Sequence, residues 1–207
     1  MTVRLARGTP GFVALLWFAP LVVASRWARL VVLLSAAGCT WFFRDPRRTP
    51  KGEGLLAAAD GVVQWVRTDE RGRETISTYL NLLDVHVTRA PCDATVVQQT
   101  YRRGRHRPAF SPSAHRNERM EWTLATAHGD IVLIQYAGTV ARRIVTHKRT
   151  GDVLRRGEAI GLIRFGSRVD VVLPVGVSAA AGEGDRMYGG ATVIATPDVM
   201  TQPSGLT

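Results

Sequence analysis

From about residue 50 onward the chain repeats one unit: a short run of β-branched and aromatic residues, then a turn built from Gly, Pro or Asp. The runs are GVVQWV at 61–66, ETISTYL at 74–80, DVHVTRA at 84–90, TVVQQTY at 95–101, MEWTLAT at 120–126, DIVLIQYAG at 130–138, VDVVLP at 169–174 and TVIAT at 192–196. Runs this short, spaced about ten residues apart, suit an all-β sandwich or barrel. No long segment of helical period interrupts them. The stretch 102–119, rich in Arg, Pro, Ser and His, reads as a long loop, and long loops in small domains are commonly functional.

Two internal echoes refine the fold. Gly151-Asp152 through Ile160 repeats in outline as Gly184-Asp185 through Val193, and Ala59-Asp60-Gly61-Val62-Val63 as Cys92-Asp93-Ala94-Thr95-Val96. Duplicated turn-and-strand units predict a mainly β chain whose domain, 44–207, is like the barrel-sandwich hybrid of lipoyl and biotinyl carriers. Ahead of it, residues 1–43 hold two apolar runs of 14 residues each, 11–24 and 30–43, with Arg26 and Arg29 between them. Each is short of the roughly 20 residues that span a bilayer. Trp17, Trp27, Trp41, Phe42 and Phe43 sit near the run ends, as interfacial anchors do. The preferred reading is an apolar helical hairpin that dips into or through the membrane. A signal peptide ending near Ala24 and a pair of buried core helices are the alternatives. Arg44, Arg47, Arg48 and Lys51 follow the second run and favour a cytoplasmic side for the next domain, as Arg4 and Arg7 do for the start of the chain.

The formal net charge is +10, and of 27 basic residues only Lys51 and Lys148 are lysines. This excess suits an anionic lipid surface or a nucleic acid. The second partner lacks support: there is no zinc spacing, helix-turn-helix pattern or aromatic platform. Cys39 and Cys92 form no CxxC pair, the histidines show no ligand spacing, and no metal site is read. A carrier domain would need a modifiable lysine at a hairpin tip, and neither lysine has that setting. A non-catalytic membrane adaptor of that fold stays as an alternative.

The chemistry centres on Ile163-Arg164-Phe165-Gly166-Ser167-Arg168-Val169-Asp170. A Gly-Ser pair alone is an ordinary turn before a strand. Given a base, however, the serine hydroxyl can attack the preceding carbonyl, and glycine leaves that carbonyl open. The amide becomes an ester. β-Elimination then splits the chain and leaves dehydroalanine, which loses ammonia to become a pyruvoyl group.

The surrounding motifs carry a resemblance. Trp41-Phe42-Phe43-Arg44-Asp45-Pro46, Ala58-Ala59-Asp60-Gly61, Leu83 through Pro91, Asn117-Glu118-Arg119, Gln135-Tyr136-Ala137-Gly138 with Ala141-Arg142-Arg143-Ile144, Gly157 through Ser167, and Phe165 through Asp170 with Leu173-Pro174 occur in one order over roughly 41–196. In these segments the chain resembles the short branch of the phosphatidylserine decarboxylase family. The resemblance implies a membrane-bound proenzyme that cuts itself between Gly166 and Ser167 into a β chain, 1–166, and an α chain, 167–207. The cofactor would be pyruvate, held covalently as a pyruvoyl group made from Ser167. It would form a Schiff base with the serine headgroup of phosphatidylserine, release CO₂ and give phosphatidylethanolamine. An archaetidylserine-type substrate is the neighbouring possibility, and a homo-oligomer at the membrane is expected.

By resemblance His86 is the base for the cut and Asp60 the carboxylate that orients it, with Asp84 able to share that role. Read without it, His86 is a strand histidine and Asp60 an Asp-Gly turn. The long branch has Leu-Gly-Ser-Thr at the cut and two histidines in the segment around His86. Here the cut is Phe165-Gly166-Ser167-Arg168, and Arg89 stands at the second position. Arg89, Arg119, Arg142 and Arg143 fall in matched segments and are candidates for the substrate phosphate. The loop Tyr101–Phe110 carries four arginines and is expected to dock on anionic lipid or close over the headgroup.

Overall fold

A computed structural model describes residues 3–139, 143–164 and 166–197; Arg142 and Phe165 lie outside them. The chain opens with two helices, α1 (Phe12–Phe18) and α2 (Arg26–Phe42), joined through a 3-10 turn at Ala19–Leu21. Fourteen strands follow among the described residues: β1 (Leu55–Leu56), β2 (Gly61–Thr68), β3 (Glu74–Leu80), β4 (Val87–Arg89), β5 (Ala94–Arg102), β6 (Arg119–Thr126), β7 (Gly129–Tyr136), β8 (Arg143–Thr146), β9 (Val153–Leu154), β10 (Ala159–Arg164), β11 (Ser167–Val172), β12 (Val177–Ala179), β13 (Arg186–Met187) and β14 (Val193–Pro197). The mainly β expectation holds.

The strands make three antiparallel sheets. The largest has eight strands in the order β13-β2-β3-β11-β7-β6-β5-β9; the others are β4-β10-β8 and β1-β14-β12. Alternation builds the main core. Trp122 and Leu124 of β6, Ile131 and Leu133 of β7, and Val169 and Val171 of β11 point to one side and are buried. Gln135 stitches this sheet to β4: it accepts from Trp122 Nε1 at 2.8 Å, and its amide donates to Thr88 Oγ1 at 2.9 Å. A buried amide is tolerated because both ends are bonded.

A second, smaller core joins the N-terminal segment to the β4-β10-β8 sheet. Ala6, Val13, Phe42 and Phe43 pack on Val85, Val87 and Leu162. Backbone bonds from Ala6 N to Phe43 O (2.7 Å) and from Asp45 N to Arg4 O (2.7 Å) tie the start of the chain to the end of α2. Trp17 Nε1 donates to Thr40 Oγ1 at 3.0 Å, so α1 touches the last turns of α2. At 17 residues α2 is about 25 Å long, against a hydrocarbon core of about 30 Å. Among the described residues no helix is long and apolar enough to cross a membrane.

The short strands β1, β9, β12 and β13 fall outside the runs read from the sequence, and two further details differ. The segment DVHVTRA is a strand only from Val87, because Asp84 and Asn81 form a side-chain turn: Asn81 N donates to Asp84 Oδ2 and Leu83 N to Asn81 Oδ1, both at 2.8 Å. Strands β8 and β10 carry no alternating pattern. Residues 160–163 of β10 are all buried, since one face meets the main core and the other the helical layer. The long loop contains a 3-10 turn, Pro112–Arg116, and is pinned by Asn117, whose amide donates to Arg107 O (2.7 Å) and Ala137 O (3.0 Å).

Candidate active site

Ser167 opens β11, a central strand, where it lies opposite Leu80 at the end of β3. The chain reaches it from β10 through a bend at Gly166, whose φ of +64° is a left-handed conformation that glycine takes without strain. A β-carbon at Gly166 would meet nothing within 4 Å, so the space beside this residue is open. The loop that follows β3 carries His86 back to the same corner: Ile163 N donates to His86 O at 3.1 Å. Strand order and register thus bring the predicted nucleophile and the predicted base to one end of two sheets.

Both side chains are fully buried, and both have an unused polar atom. Ser167 Oγ and His86 Nε2 each lack a hydrogen-bond partner among the described residues. The other imidazole nitrogen, Nδ1, lies 2.9 Å from the backbone carbonyl of Asp84. A carbonyl only accepts, so Nδ1 carries the proton and Nε2 presents its lone pair. Burial lowers the His86 pKa to about 4, helped by the nearby charge of Arg44 and opposed by Asp84. The ring packs on Phe42, with centroids 4.4 Å apart. His86 is therefore a neutral imidazole in a dry setting at physiological pH.

Asp60 is not the group on this ring. Its carboxylate accepts from Arg48 Nη2 at 2.7 Å and from Gly189 N at 2.8 Å. Burial pushes its pKa up, while Arg48 and the Gly189 N–H pull it down. Asp84 reaches the imidazole through its main chain, and its carboxylate pairs with Arg186. Arg48 connects this region to a cleft of about 670 Å³ that Arg4, Asp45, Arg89 and His147 also line.

The arginine candidates separate by partner. Arg89 is buried and engaged by the Asp45 carboxylate and by Gly157 O at 3.0 Å. Arg119 donates to Glu121 Oε1 at 2.6 Å and to His115 O at 3.0 Å. Arg143 is exposed on β8. In the basic loop, Arg102 bonds Glu121 at 2.9 Å, His106 lies 3.0 Å from Glu118, and Phe110 packs edge-on against Tyr79.

One network escaped the sequence reading. Next to Ser167, Arg168 is buried over the Tyr136 ring at 4.3 Å, and its Nη2 donates to Asp170 at 2.9 Å; Ser77 Oγ donates to the same carboxylate at 2.7 Å. Strand alternation puts Arg168 and Asp170 on the face away from Ser167 and Val169. The charged pair within an otherwise apolar strand was the available signal.

The sequence matches the family described as phosphatidylserine decarboxylase over residues 36–195. It is 47% identical over 161 residues to a protein named phosphatidylserine decarboxylase proenzyme from Thermobifida fusca, covering 78% of this chain and 74% of that one. The protein of the same name from Streptomyces griseus is 42% identical over 205 residues and 93% of each chain. A protein of Methanococcoides burtonii, provisionally named an archaetidylserine decarboxylase proenzyme, is 43% identical over 157 residues, covering 75% of this chain and 73% of that one. With the match spanning most of its length, the chain belongs to the phosphatidylserine decarboxylase family, whose members are carboxy-lyases.

Proposed function

We propose that the chain cuts itself between Gly166 and Ser167 and then decarboxylates the serine headgroup of phosphatidylserine, giving phosphatidylethanolamine. The observation that carries this reading is that Ser167 Oγ, next in the chain to a glycine with open space around it, and His86 Nε2 are both buried and unused. A buried hydroxyl and a buried imidazole nitrogen without partners are costly unless they serve a purpose.

In the cut, His86 Nε2 takes the Ser167 hydroxyl proton as Oγ attacks the Gly166 carbonyl. The C–N bond breaks, its nitrogen gains a proton, and an ester joins the two residues. Loss of the Ser167 α-proton then expels the Gly166 carboxylate from Cβ. One water replaces the nitrogen, which leaves as ammonia. The two atoms are not hydrogen-bonded in the present geometry, so the proton transfer requires Ser167 or His86 to reorient first.

Position 167 fits the pyruvoyl group, because it is buried at the head of a strand held on both sides by β3 and β7. The group supplies an electron sink for the pair left behind when CO₂ departs. The protein's own contribution is to exclude water from this corner and to fix the reacting strand. The apolar helices would rest the domain on the membrane, with Arg44, Arg47, Arg48 and Lys51 favouring the cytoplasmic face. We read the three sheets as the barrel-sandwich hybrid that the repeated turns suggest.

A denaturing gel tests the reading. Wild type should run as pieces of residues 1–166 and 167–207, with the shorter one reactive toward a carbonyl reagent. Ser167→Ala should run as one chain and release no CO₂ from phosphatidylserine micelles. An intact wild-type chain without a carbonyl-reactive piece would overturn it.

A further inference from the structure

Arg143 and Arg164 lie directly opposite each other across the β8–β10 ladder. Cross-strand neighbours have β-carbons about 5 Å apart, and like charges there repel. Neither residue makes an ion pair among the described residues. Arg164 Nε is buried without a partner, and its Nη2 is held by Gly8 O at 3.1 Å. Burial and the charge of Arg143 both lower the Arg164 pKa from its ordinary value. A sheet that sets two guanidinium groups side by side with no carboxylate between them is short of an anion.

The pair also faces the right way. Leu162 and Val145, two residues from Arg164 and Arg143 on the same strands, belong to the core shared with the N-terminal helices. Alternation puts both arginines on that face, and the Gly8 contact agrees. Arg164 is three residues before Ser167, at most about 10 Å of extended chain, and its own side chain spans much of that distance. In a serine phospholipid the phosphorus is roughly 4 Å from the α-carbon that loses CO₂, by ordinary bond lengths.

We propose that Arg143 and Arg164 together form the phosphate fork of the site and receive the phosphodiester of the lipid headgroup while its serine moiety lies at position 167. The inference rests on the decarboxylase reading above and adds Arg164 to the candidates. Two forked cations suit a phosphodiester oxygen pair better than either one alone. Occupation by the substrate would relieve the repulsion built into the ladder, so the site is preformed.

The experiment uses Arg143→Ser, Arg164→Ser and Arg164→Lys in the full-length enzyme, assayed on short-chain phosphatidylserine in detergent micelles. Self-cleavage, seen on a gel, reports that each variant has folded and formed its site. The serine variants should be cut normally and show KM raised by about ten- to a hundredfold, with kcat nearly unchanged. Arg164→Lys keeps the charge and loses the fork, so its KM should rise less. Inorganic phosphate should inhibit wild type competitively and lose potency in the variants. Should Arg164→Ser stay uncut, Arg143→Ser, at an exposed position, and Arg164→Lys decide. Processed variants with wild-type KM, or with kcat lowered and KM unchanged, would overturn the fork and leave the decarboxylase reading standing. A wild type that never cuts itself would remove that reading instead.

Discussion

The group that holds the His86 imidazole is a peptide carbonyl, and this choice has consequences for pH. A carboxylate on Nδ1 would stabilise the charged ring, whereas the Asp84 carbonyl fixes the tautomer and pulls toward protonation less than burial opposes it. Burial then dominates, and the pKa falls to about 4. The sign follows: the unfolded chain takes up its proton near the ordinary histidine value of 6.5, before the folded chain does. Stability from the neutral ring is complete above about pH 6.5 and is lost as pH falls toward 4, about 3 kcal/mol in all. The cut-resistant Ser167→Ala background allows a clean comparison. Between pH 7 and pH 5 it should lose about 2 kcal/mol more in urea unfolding than the Ser167→Ala/His86→Gln double variant does. Equal losses would show that His86 titrates normally and is not a buried neutral base. At this scale the motifs in the sequence single out Ser167 and His86 as candidates. It could not reveal that Asp60 is taken by Arg48 and Gly189, because that depends on partners 12 and 129 residues away.

Among the elements, α2 and the Phe43 that caps it divide their apolar residues between two jobs. Phe43 is 1% exposed and packs in the core shared with Val85 and Val87, whereas Trp27, Val31 and Leu34 of α2 are each more than 60% exposed. Both sets look alike in sequence, since an apolar run does not state whether lipid or protein covers each side. Phe43→Ala should therefore cost about 3–5 kcal/mol in unfolding stability, as for other large core truncations. A Trp27→Ser/Val31→Ser/Leu34→Ser variant should unfold within about 1 kcal/mol of wild type, since these side chains gain little from folding. It should instead lose most of its partitioning onto phosphatidylcholine vesicles in co-sedimentation. If the triple variant were the unstable one, the exposed face would be a protein interface. Strands β2, β5, β6 and β7 are readable because their alternation follows one buried face. Strand β10 was not: with two buried faces and Gly161 near a bulge, Ala159–Arg164 has no period to find.

The molecule as a whole determines what the proposed cut would leave behind. Strand β11 lies between β3 and β7, hydrogen-bonded to both, and Val169 and Val171 are in the main core. Farther along, β13 pairs with β2, and β14 pairs with β1. The piece that starts at Ser167 therefore contributes strands to two sheets whose other strands all precede the cut, apart from β12, which pairs with β14. This interleaving was hidden in the sequence, where the last 41 residues look like a tail with a few short strands; their long-range partners appear only once the sheets form. Breaking one peptide bond at the corner between β10 and β11 removes none of these pairings. After the cut, residues 1–166 and 167–207 should stay together as one body. In native size-exclusion chromatography they should co-elute, and only denaturant should separate them. Dilution below micromolar concentration should not release the shorter piece, because leaving would expose the inner faces of both sheets. The cut and uncut chains should also show closely similar far-ultraviolet circular dichroism, since the ladders are the same in both. Release of the 167–207 piece on dilution would mean that the strand order changes after cleavage, and the placement of β11 between β3 and β7 would then describe the precursor alone.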